Sequence, residues 1–120
     1  MKKTLTIAAI ALSAVAAFAT PAAAGSGNAG YFEDTYVTPG DSRYFEEFFY
    51  GGEVAAIELS SHFGEDVDLF IFDQFGNEIA YSDSWTGQER IQFRPAFDGY
   101  FKIEVYNADD ETADFSLWTN

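Results

Sequence analysis

Three runs constrain this chain most: Val67-Asp68-Leu69-Phe70-Ile71-Phe72-Asp73, then Asn77-Glu78-Ile79-Ala80-Tyr81, and later Gly99-Tyr100-Phe101-Lys102-Ile103-Glu104-Val105. Side chains on a strand alternate between faces, so each run describes one buried and one wet face of an antiparallel sheet. Alternation recurs in short bursts near 31–37, 43–50, 53–60, 89–94 and 113–119. Between the bursts stand turn residues such as Pro39-Gly40-Asp41, Gly51-Gly52, Phe63-Gly64-Glu65, Gly76-Asn77, Thr86-Gly87 and Asp98-Gly99. This spacing predicts an all-β fold, a jelly-roll-like β-sandwich of about eight antiparallel strands. The phase of the alternation sends Ala55, Ile57, Leu59, Val67, Leu69, Ile71, Ile91, Phe93, Phe101, Ile103, Val105, Phe115 and Leu117 inward.

The amino terminus reads differently. Lys2 and Lys3 precede an apolar run from Leu5 to about Ala19, and Ala22-Ala23-Ala24 fits an A-x-A cleavage site, so residues 1–24 read as a secretory signal peptide. Cleavage after Ala24 leaves 96 of the 120 residues, enough for one domain with one core. Residues 25–30, rich in Gly, Ser and Asn, read as a flexible mature terminus, and residues 31–120 as the domain. No later stretch is long and apolar enough for a membrane span, which predicts no membrane insertion. The expected location is the periplasm or the medium. Cysteine is absent, so an exported domain of this size depends on packing, hydrogen bonds or a bound ion in place of disulfides.

Charge narrows the partners. The chain carries 20 acidic against 6 basic residues, a net −14, which becomes −16 once Lys2 and Lys3 are removed. Such a surface repels phosphate backbones and anionic head groups, so nucleic acid is excluded as a partner. It fits a soluble acidic protein, in salt that screens its self-repulsion, or one that binds cations.

From about Tyr36 to Trp118 the chain resembles the bacterial pre-peptidase C-terminal domain family. The residues that carry the likeness are Thr38-Pro39-Gly40-Asp41-Ser42 before an aromatic strand, Asp68 to Asp73 with Gly76 after it, Ser82-Asp83, Glu89-Arg90-Ile91, and Gly99 to Val105. The resemblance implies a β-sandwich without catalytic activity that assists secretion, attachment or substrate binding; relatives in collagenases bind calcium and collagen. A leader directly before the domain implies a module acting free or in trans.

Calcium is the cofactor the acidic residues suggest, since hard cations take six to eight oxygen ligands that loop carboxylates can supply. Glu65, Asp66 and Asp68 form one cluster, and Asp109, Asp110, Glu111 and Asp114 another. The Asn107, Asp109, Glu111 spacing imitates an EF-hand start, but Thr112 replaces the turn glycine and Trp118 the final glutamate, so that motif is rejected. The plainer reading of each cluster is a solvated acidic loop. His62, beside Ser60 and Ser61, lacks a nucleophile elbow and reads as a polar loop residue, so no enzyme is expected.

With Leu69 and Ile71 inward, Phe70 and Phe72 fall on the opposite face, as do Tyr100, Tyr106 and Trp118 on later strands. These five form a candidate binding face for an extracellular protein or glycan, or else cross-strand pairs that stabilise a sheet. The expected function is a secreted, non-catalytic binding or accessory module, calcium-stabilised if the loops hold an ion. The alternative is a structural envelope component or a chaperone-like or inhibitory partner of a secreted enzyme.

Overall fold

The computed structural model describes residues 7–9 and 31–120. The leader and the flexible terminus assigned to residues 1–30 therefore lie outside the described residues, apart from a three-residue strand β1, Ile7–Ala9. Eight further strands follow: β2 (Tyr31–Val37), β3 (Ser42–Phe49), β4 (Ala55–Ser61), β5 (Val67–Phe72), β6 (Glu78–Ser82), β7 (Gln88–Phe93), β8 (Gly99–Asn107) and β9 (Ala113–Thr119). No helix occurs among the described residues.

All the pairing is antiparallel and nested: β2 with β9, β3 with β8, β4 with β7, and β5 with β6. A long hairpin with this pairing, rolled over on itself, gives two sheets, β1-β6-β5-β8-β3 and β2-β9-β4-β7. That order is the jelly-roll wrap the alternation predicted. β1 adds to the outer edge of β6, with Ala8 opposite Tyr81.

The core lies between the sheets. Leu69, Ile71, Ile103 and Val105 face Ile57, Leu59, Phe115 and Leu117, all essentially inaccessible to water. Each such side chain contributes about 1.5–3 kcal/mol when taken out of water. Phe49, Phe93 and Phe101 close one end as a ring-edge cluster, with centroids 5.5 to 5.7 Å apart.

One carboxylate also points inward. Glu89 lies opposite Leu59 in the β4–β7 ladder and is buried. Ser82 Oγ, from the other sheet, donates to its Oε1, and Ser84 donates its Oγ to Oε2 at 2.6 Å and its backbone N at 3.1 Å. These donors supply what a buried charge requires and link β6 to β7 across the sandwich. At this end Gly87 adopts φ +77°, and a Cβ there would stand 2.3 Å from Ser61 Oγ and 2.6 Å from the Glu65 carbonyl. Glycine therefore lets the β6–β7 loop press against the β4–β5 loop.

Candidate binding face

The outer face of the five-stranded sheet is built row by row from the register. Tyr81, Phe70, Glu104 and Tyr44 lie side by side across β6, β5, β8 and β3. The next row holds Glu78, Phe72, Lys102 and Glu46, and the next pairs Tyr100 with Phe48. Tyr106 stands between Asp68 and Ser42. Four of the five predicted aromatics, Phe70, Phe72, Tyr100 and Tyr106, thus share one face. Trp118 does not join them, because β9 belongs to the four-stranded sheet, where Trp118 lies opposite Glu58 on that sheet's own outer side.

Some of these rings support one another and some stand free. Phe70 stacks on Tyr81 at 6.1 Å, and Phe48 meets Tyr100 edge-on at 5.2 Å. Tyr44 and Tyr100 are each 58% exposed and the turn residue Phe75 is 71% exposed, so a large aromatic area remains available to a partner. Tyr44, Tyr100, Phe72 and Phe75 line an open groove of about 590 Å³, rimmed by Glu46, Asp73, Glu104 and Lys102. Lys102 Nζ sits 5.5 Å above the Tyr44 ring, while Glu104 accepts a bond from Ser42 Oγ at 2.5 Å.

A tight turn shapes the groove's end. Asp73 Oδ1 accepts the backbone N–H groups of Phe75 at 2.8 Å and Asn77 at 2.9 Å, and its Oδ2 accepts Asn77 Nδ2 at 3.1 Å. Gly76, at φ +85°, donates its N–H to the Asp73 carbonyl at 3.0 Å. Burial works to raise the Asp73 carboxyl's pKa, but the bonds from Asn77, Phe75 and Gly76 outweigh it and hold the group below its ordinary value.

The predicted metal ligands divide. Asp109 reaches across to the first cluster, its Oδ2 accepting the Asp66 N–H at 2.9 Å, while the Ala108 N–H donates to the Asp66 carbonyl. Glu65, Asp66, Asp68 and Asp109 therefore share one end of the sandwich. Asp110, Glu111 and Asp114 are exposed, with the Asp110 N–H donating to Asp109 Oδ1 at 2.7 Å and Asp114 opposite Tyr36 on β2. Among the described residues no three carboxylate or imidazole side chains already converge in ligating positions.

His62 hydrogen-bonds Ser116 Oγ through Nε2 at 2.9 Å on an exposed surface. Among the described residues no carboxylate orients its ring, so the Ser116–His62 pair lacks the third group of a nucleophilic triad.

No protein-family model matches the chain, and no curated protein matches it by sequence. Solved structures do. The pre-peptidase C-terminal domain of a Bacillus anthracis collagenase superposes on 86% of this chain and all of its own, with a TM-score of 0.62 at 16% identity. Aeromonas hydrophila PliG, a periplasmic inhibitor of g-type lysozyme, covers 80% of this chain and 87% of its own, with a TM-score of 0.57 at 18% identity. The likeness is one of fold.

On this pre-peptidase C-terminal-like sandwich, several residues matter that the sequence reading passed over. Tyr44, Phe48 and Tyr81 join the aromatic face, and Phe75 overhangs it. Tyr81 alternates with Ala80 and Ser82, and Tyr44 with Phe45, so their phase was available; their sheet was not. Asp83 directly follows Ser82, the last residue of β6 and the ladder partner of Leu69.

Proposed function

We propose that this chain is an exported, non-catalytic binding module that captures a basic extracellular protein on the outer face of its five-stranded sheet, acting in trans on a secreted enzyme. The observation that carries this reading is the open aromatic groove with an acidic rim: Tyr44, Tyr100, Phe72 and Phe75 supply apolar contact, and Glu46, Asp73 and Glu104 supply charge. Exposed aromatics anchor protein interfaces, and the net charge of −14 attracts cationic partners over distance. The fold shared with the pre-peptidase C-terminal domain of a collagenase and with a lysozyme inhibitor is consistent with recognition rather than catalysis.

The test is capture on the immobilised full chain from a panel of basic secreted enzymes that includes a g-type lysozyme. We expect retention at low salt and release at high salt, because steering between opposite charges is screened. Replacing Tyr44 and Tyr100 together by serine should weaken binding at least about tenfold without lowering the unfolding midpoint. Retention of neutral oligosaccharides in place of basic proteins, or a double variant that binds like the parent, would contradict the reading.

A further inference from the structure

On the reading of an exported chain, β1 leaves with the leader, and what it covers comes open. It pairs antiparallel with β6, Ile7 opposite Ser82, Ala8 opposite Tyr81 and Ala9 opposite Ala80, and it also contacts β7 of the other sheet. β6 pairs with β5 on its other side, so without β1 it is an edge strand whose outward N–H and C=O groups have no ladder. The three residues that β1 pairs are also the regular part of β6. The β5–β6 register skips Ile79, with Ala80 opposite Ile71 and Glu78 opposite Phe72, and β1 pairs no further than Ala80.

Edge strands are ordinarily guarded against added strands by charges, prolines or twist. Among the described edge strands, β2 carries Glu33 and Asp34, β3 carries Arg43, Glu46 and Glu47, and β7 carries Glu89 and Arg90. β6 carries only Glu78, at its first residue, and Ile79-Ala80-Tyr81-Ser82 has no charge. Ala80 and Ser82 are buried on the core side, whereas Tyr81 stacks on Phe70 on the outer face. A strand laid on this edge therefore has core-side positions opposite Ala80 and Ser82, which favour apolar residues, and an outer position beside the Tyr81 ring. The segment Ile7-Ala8-Ala9 that occupies the edge has that composition, and Lys2 and Lys3 precede it in the sequence.

We propose that the β6 edge of the exported chain is a strand-acceptor site for an extended segment of small and apolar residues with basic flanks, contributed by the cationic protein that the outer face captures. The choice of occupant rests on that capture reading. Tyr81 joins the edge to the face, and Glu78 and Asp83 stand at the two ends of the accepting stretch, where they match positive charge on either flank of the segment. A second copy of the chain fits less well, since it brings another net charge of −14 to the same seam. In such strand addition the main-chain hydrogen bonds supply affinity, and the alternate side-chain positions fix the register.

The experiment uses the protein collected after export, whose intact mass reports whether residues 1–24 are gone, and a synthetic peptide of residues 2–12, Lys2 to Leu12, as the added strand. We expect saturable binding, with new hydrogen-exchange protection gathered on the amides of Ala80, Tyr81 and Ser82. Adjacent N–H groups on a strand point to opposite sides. Of two peptides of unchanged charge carrying Ala8→Pro or Ala9→Pro, at least one should therefore bind at least about tenfold more weakly. The chain with Tyr44→Ser and Tyr100→Ser should bind the peptide within about twofold of the parent, which separates a failure of the edge from a failure of the groove. Absence of peptide binding, both proline peptides binding like the original, protection gathered on β3 or β7 instead, or an exported chain that keeps residues 1–24 would overturn the site. So would a dimer joined through β6 without peptide, which would assign the edge to a second copy.

Discussion

Glu89 shows how a single residue can hold two sheets together. Its buried carboxylate takes the hydroxyls of Ser82 and Ser84 and the Ser84 N–H, so truncation leaves those donors without that acceptor. We expect Glu89→Ala to cost about 3 kcal/mol and Glu89→Gln about 1 kcal/mol, since the serine hydroxyls can turn round to meet an amide. Urea unfolding with an unchanged slope is the appropriate readout. The residue was legible in part. In Gln88-Glu89-Arg90-Ile91-Gln92-Phe93 it shares the inward phase of Ile91 and Phe93, yet an acid in that phase looks like a strand end until its donors are located on another sheet. Asp66, fully buried, was less legible still, because burial of a loop carboxylate follows from loop packing and not from any local pattern.

Strands and turns were the most readable level. β2 and β9 fall where the alternation placed them, and the other strands of the domain shift by at most two residues, since glycines and prolines mark where pairing must stop. A period of two reports the face of a side chain but not its sheet, which is why Phe70, Phe72 and Tyr100 came together and Trp118 did not. The turn from β5 to β6 makes a prediction of its own. A carboxyl held below its ordinary value in the folded chain contributes stability that is present above the unfolded value and is lost as pH falls through the folded one. Unfolding midpoints measured down a pH series should therefore drop across that acid window, and Asp73→Asn should flatten this part of the curve. The variant and the parent should converge at the lowest pH, where both side chains are neutral.

At the scale of the whole molecule, a chain without cysteine carries a net charge of −14 and still leaves a wide aromatic groove open to solvent. Self-repulsion on that scale works against compactness, so exposing apolar rings amid acids makes sense where a cationic surface covers them. The account rests on that face being the one that meets a partner. Titrating the isotopically labelled chain with the basic protein it retains, while following backbone amide resonances, tests this most directly. The predicted result is that perturbations gather on Tyr44, Phe72, Phe75, Tyr100 and Lys102. Perturbations gathered instead around Trp118, Glu58 and Arg90 on the opposite sheet, with the groove unmoved, would contradict it.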